Sequence, residues 1–198
     1  MKEHIDKLID FVNPRNLKNN LIGSSLYIAI FETTKDYIVE QVRDLFSIGY
    51  CSDTGSIIDP EYKQKVLSKD PKSELKSSLL WFCEQGAISQ SEVESFDDLR
   101  KYRNELAHEM LKNLYNGLGS TFSENFNQLI SLRIKLERWW IFNVEIPTSD
   151  VDPESVKDED VMTSSQILYK LVFDVLSDDD EKSKYYYSEF LKYKEGSK

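Results

Sequence analysis

Apolar residues recur along this chain at helical rather than strand spacing, and few turn-forming residues separate the recurrences. The longest seam is Leu17, Leu21, Ile28, Phe31, Ile38, Val42 and Leu45, which predicts one helix over about 14–47. Asn13-Pro14 opens it, because asparagine caps a helix and proline fits its first position. Gly49 is the expected stop. Ahead of it, Ile5, Leu8, Ile9 and Val12 fall on one side of a short helix over 3–12. The periodicity lapses over 48–70, where Cys51-Ser52-Asp53-Thr54-Gly55-Ser56 and Asp59-Pro60 are turn chemistry, with one or two helical turns expected over 61–67. It resumes over 72–85, with Leu75, Leu79, Leu80, Phe82 and Cys83 apolar and Gly86 following.

A fourth helix opens at Ser89 or Ser91. Glu92 and Glu94 are placed there for a capping box and for the helix dipole. It is expected to run to about residue 115, where Asn116, Gly117 and Gly119 interrupt it. A fifth follows to about residue 142 on the seam Phe126, Leu129, Leu132, Leu136 and Trp140, and its aromatic end reads as core closure. Past Pro147 the chain turns acidic. Ile167, Leu168, Leu171, Val172 and Val175 predict a helix over 164–177, and a last one over 182–193 carries Tyr185-Tyr186-Tyr187. The expectation is an all-α protein: an antiparallel helical bundle over 1–145, an acidic linker over 146–163 and a two-helix appendage over 164–198. That appendage is too small to fold alone.

The fourth helix holds the chemistry. Val93, Phe96, Leu99, Leu106, Ala107, Met110, Leu111 and Leu114 share a broad apolar face, and Arg103 interrupts it. A guanidinium in an apolar stripe is costly unless it is paired or lines a polar cavity. The structural explanation is an ion pair with a carboxylate from a neighbouring helix. The other explanation is a site, since Asn104 and His108 stack four apart at the edge of the same face. His108 and His4 are the two histidines of the chain.

Arg103-Asn104-Glu105-Leu106-Ala107-His108 resembles the Arg-x4-His motif of the HEPN superfamily, the all-helical nucleotide- and RNA-handling domains, and the helix order is similar over about residues 15–145. The polar Asn104 directly after the arginine fits the ribonuclease branch. The resemblance implies a metal-independent endoribonuclease, a toxin-like or antiviral abortive-infection effector. Arg103 and His108 would be catalytic, with Asn104 beside them, in a composite site where two copies of the motif face each other in a homodimer. It also implies RNA as substrate and an antitoxin or regulatory protein as further partner. Family members neutralised by adenylylation carry a tyrosine two residues after the histidine; Met110 stands there, so that arrangement is not expected at this position.

The chemistry agrees with the residue types. RNA is cut without metal when the 2′-hydroxyl attacks the adjacent phosphorus, given a base, an acid and positive charge on the phosphorane. Histidine moves protons near neutral pH, and arginine offers a phosphate paired planar donors. Arg100, Lys101 and Lys112 are the candidate substrate-binding cations. No carboxylate or histidine cluster has metal spacing, so neither metal nor cofactor is expected. Asn104 would orient His108 or bond the substrate. The alternative is a non-catalytic HEPN-like interaction module of a larger complex, with Arg103 as a structural ion pair.

Charge qualifies the picture. The 198 residues carry a net charge of −10, unusual for a nucleic-acid protein. Residues 1–141 hold 18 basic and 21 acidic side chains, and residues 142–198 hold 7 and 14, so the acidity is concentrated behind the motif. That balance suits a nuclease gripping a short strand at a cleft better than a general RNA binder. Cys51 and Cys83 are isolated and suit a reducing compartment. No apolar run is long enough to span a membrane, and the first residues lack a signal-peptide core; a cytoplasmic protein is expected.

Overall fold

The computed structural model describes residues 8–9, 11–53, 55–176, 185, 187 and 192. The helix expected over 182–193, apart from isolated positions, and the first half of the one expected over 3–12 lie outside the described residues. What is described is mostly helical, as the pattern predicts. The chain divides into two compact units, Met1–Lys135 and Leu136–Lys198.

In the first unit, α1 spans Pro14–Leu45, with the Asn13 Oδ1 accepting from the Arg15 amide at 3.0 Å. It stops before Gly49: the Phe46 amide turns back to the Arg43 carbonyl and the chain enters a strand. The stretch that lacks periodicity contains a hairpin, β1 (Ser47–Cys51) and β2 (Gly55–Ile58), antiparallel, with Tyr50 opposite Ser56 and a register shift between Ser47 and Gly49. Its strands are short, and Ile48 and Tyr50 remain exposed, so no buried face imposes the alternation by which strands are read. Gly55 takes φ +79°, open only to glycine at little strain. Next come α2 (Glu61–Lys65) and a 3-10 turn, Leu67–Lys69. Tyr62 is buried and donates to Glu74 Oε1 at 2.9 Å. Burial, and then that carboxylate, push its phenol up to about 12.

Then follow α3 (Glu74–Glu84), capped by Ser73, α4 (Gln90–His108), α5 (Met110–Asn116) and α6 (Phe122–Trp140), which runs through the division between the units. Tyr27, Phe31, Ile38, Phe82, Phe96, Leu99, Leu106 and Leu129 are buried and make the core of the first unit. Arg133 of α6 fastens to α1, donating to the Thr33 carbonyl at 2.9 Å and lying 3.8 Å over the Tyr37 ring.

In the second unit, a π-helical turn (Ile141–Glu145) follows α6. Two 3-10 turns, Pro153–Ser155 and Asp158–Asp160, precede α7 (Ser164–Leu176). The acidic segment expected as a linker over 146–163 is held at its end by Arg138. Arg138 donates to the carbonyls of Val161 and Asp158, both at 2.5 Å, and pairs with Asp158 Oδ1. Thr163 and Gln166 cap α7 reciprocally at 2.8 and 3.1 Å. Buried Glu137 accepts from the Ser165 hydroxyl at 2.7 Å. Trp140 is buried, as core closure requires.

Candidate functional site

The site rests on how firmly α4 begins. Ser89 and Glu92 form the capping box the sequence offers, with the Ser89 amide donating to Glu92 Oε2 at 2.7 Å. Lys135 of α6 donates to both Glu92 oxygens at 2.7 and 2.8 Å. Burial works to raise the Glu92 carboxyl, but Lys135 and the Ser89 bonds outweigh it and hold the group below its usual range. Along the helix, Phe96 stacks on Phe31 with centroids 5.2 Å apart. The Tyr27 hydroxyl donates to the Leu99 carbonyl at 3.2 Å, and the Tyr27 ring meets Tyr102 edge-on. Burial, then Tyr102, push the Tyr27 phenol well above its ordinary value.

Arg103 comes one turn after Leu99. Its side chain is 28 % exposed and forms an ion pair with Glu32 of α1. Its Nη1 donates to Asn104 Oδ1 at 3.1 Å. Its Nε is buried with no hydrogen-bond acceptor among the described residues. Glu32 is shared, since Lys35 also donates to it at 2.5 Å. That bond chiefly, against the opposing effect of burial, and then Arg103, hold the Glu32 carboxyl below its ordinary range. The interruption in the apolar stripe thus has its carboxylate on a neighbouring helix, and only the Nε–H stays without an acceptor among the described residues.

His108 is exposed and is the last residue of α4. The helix expected to run unbroken to about residue 115 opens at Glu109 (φ −108°, ψ 23°) and restarts as α5. No glycine or proline marks the break. The Glu109 amide still reaches the Glu105 carbonyl at 2.8 Å, and the Asn113 amide reaches Glu109 at 2.8 Å, so the ladder bends rather than stops. At ~100° per residue, Arg103 and His108 point ~140° apart around the axis, whereas Asn104 and His108 are within ~40°. Asn104 is bonded to Arg103 and lies one turn before His108, while Arg103 and His108 themselves point to different sides of the helix.

The three further cations each meet a carboxylate three residues earlier: Arg100 with Asp97 at 3.0 Å, Lys101 with Asp98 at 2.8 Å and Lys112 with Glu109 at 2.6 Å. All three side chains are exposed, and such surface pairs are weak enough to be exchanged for phosphate. Glu32 is the residue that the pattern alone does not single out. It follows Phe31 on the flank of a long amphipathic helix, where an acidic residue is ordinary. Two cavities lie in the first unit, one lined by asparagines of α1 and the end of α5, the other between α4 and α6. Neither is lined by Arg103 or His108.

Among the described residues, no group of three or more histidine, cysteine or acidic side chains is placed to hold a metal ion, and no helix is long and apolar enough to cross a membrane. No protein-family model, curated protein or solved structure matches the chain.

Proposed function

We propose that this chain is a metal-independent endoribonuclease of HEPN type, a toxin-like or antiviral effector, that cuts RNA by attack of the 2′-hydroxyl on the adjacent phosphorus. The observation that carries the reading is the continuous arrangement on one well-capped helix. Arg103 is fixed by Glu32 and by Asn104, and exposed His108 follows one turn beyond Asn104. Arg103 supplies fixed positive charge to the phosphorane, and its pairing keeps the guanidinium from collapsing onto solvent-exposed alternatives. His108 supplies the proton transfer that chemistry requires. Arg100, Lys101 and Lys112 exchange their carboxylates for flanking phosphates.

The deciding experiment is incubation of the full chain with total RNA and excess chelator. The wild type yields fragments ending in cyclic phosphates. Arg103→Ala and His108→Ala, each with the helical circular dichroism of the wild type, yield none. Normal cleavage by His108→Ala ends this reading.

The Glu32–Arg103 ion pair favours a second reading, a non-catalytic HEPN-like interaction module in which Arg103 only joins α1 to α4. There Arg103→Ala lowers the unfolding midpoint, and neither wild type nor variant cuts RNA.

A further inference from the structure

Arg103 is paired incompletely, and the shortfall has its cause on α1. A guanidinium meets a carboxylate most strongly as a fork, with two parallel N–H donors on the two oxygens. A side-on fork uses Nε and Nη2, and an end-on fork uses Nη1 and Nη2. Neither forms on Glu32. Nη2 pairs with Oε1, Nη1 donates to Asn104 Oδ1 at 3.1 Å, and Nε is buried without an acceptor among the described residues. The other oxygen of Glu32, Oε2, accepts from Lys35 Nζ at 2.5 Å. Lys35 lies three residues after Glu32 on α1; its second carboxylate, Asp36, is farther away at 3.6 Å and more exposed. A buried N–H left without a partner is costly, so stability alone does not account for the arrangement.

We infer that Lys35 is a positioning residue: by holding Oε2 of Glu32 it keeps Arg103 from closing a fork on that carboxylate and leaves the guanidinium half-paired, ready for a phosphate. The inference rests on the ribonuclease reading in naming an RNA phosphate as what Arg103 meets. Forked onto both oxygens, the guanidinium would be neutralised and turned toward α1. Held by one oxygen, it keeps part of its charge uncompensated. Its terminal nitrogens belong to a half-buried side chain and can exchange Asn104 for a phosphate oxygen. Asn104 is a neutral acceptor and so the weaker competitor. Lys35 acts here through Glu32 and needs no contact with RNA. The sequence pattern does not mark it, because a lysine three residues after a glutamate on an amphipathic helix is an ordinary surface pair.

The first measurement needs no RNA. In the full-length, nitrogen-15-labelled chain, the Arg103 Nε–H resonance is assigned by its loss in Arg103→Ala. Lys35→Met frees Oε2, and the Nε–H proton moves downfield as it gains that acceptor. A resonance unmoved in both Lys35→Met and Lys35→Ala overturns the inference; the second variant serves if the first alters the helical circular dichroism. The second measurement is steady-state cleavage of RNA. Lys35→Met lowers kcat about tenfold with KM nearly unchanged, because Arg103 is withheld from the phosphorane while substrate still binds. In Glu32→Gln, whose neutral amide cannot form the charged fork, adding Lys35→Met changes kcat less than about twofold. A raised KM with kcat unchanged, or an equal loss in both backgrounds, makes Lys35 a direct phosphate ligand or a plain surface charge and overturns the positioning role. If the wild type cuts no RNA, the ribonuclease reading fails by itself, and the resonance still decides whether Lys35 controls the pairing of Arg103.

Discussion

Arg103 is held in the candidate site by its ion pair with Glu32 of α1. Its place in an apolar stripe announces a buried or half-buried cation, and a cation there requires an acceptor. Which acceptor is a tertiary fact. Glu32 lies 71 positions earlier on α1, and no spacing rule connects the two. The same pair yields a prediction. Glu32 is held below its ordinary range, mainly by the Lys35 bond and, against burial, by Arg103. A carboxyl lowered in the folded state contributes stability that is fully present above its unfolded value and is lost as pH falls through the folded one. Glu32→Gln should therefore destabilise the chain at neutral pH by about 1 kcal/mol, the scale of a charged hydrogen bond lost at a half-exposed site. It should lose less than the wild type on acidification, so that the two urea midpoints converge as pH drops below the glutamate range. Parallel midpoints at every pH would show that the carboxylate does not act through its charge.

At the scale of elements, capping chemistry was legible and bends were not. Ser89 with Glu92 is a sequence signature with a defined geometry, and it forms. The hairpin Ser47–Ile58 and the opening at Glu109 leave no such mark: the strands bury no face, and the bend occurs at a glutamate flanked by good helix formers. The distinction matters because the motif sits between a firm start and a bent end. The Glu92 carboxylate both closes the capping box and receives Lys135 from α6, so the start of α4 is tied to a second helix. Ser89→Ala removes the cap acceptor and should cost about 1 kcal/mol in denaturant unfolding. Lys135→Ala leaves the box closed but breaks the bond to α6. Being a half-exposed ion pair, that bond should cost less than the cap. Because the two residues share Glu92, the double variant should depart from additivity. A larger loss from Lys135→Ala than from Ser89→Ala would mean that docking on α6, not capping, positions the helix that carries Arg103.

At the scale of the molecule, the proposed ribonuclease chemistry asks one histidine per motif to perform two proton transfers. Attack by the 2′-hydroxyl needs a base and departure of the 5′-oxygen needs an acid, and the only other histidine, His4, is far along the chain from the motif. The proposed twofold arrangement would solve the count by bringing His108 of each copy to one phosphate. The exposed position of His108 at a helix end leaves it free to meet a second copy. The consequence is quantitative. When wild type and His108→Ala chains are unfolded together in equal amounts and refolded, subunits assort at random, and only about one quarter of dimers carry two histidines. Cleavage should then fall to about one quarter of that of the same total wild-type chain, whereas a site complete within one chain retains about one half. Light scattering at micromolar concentration gives the state of the same samples, so the dependence of activity on the wild-type fraction, squared or linear, is read against a measured mass. A linear dependence in a monomeric sample would place both proton transfers within one chain and return the second role to a group other than histidine.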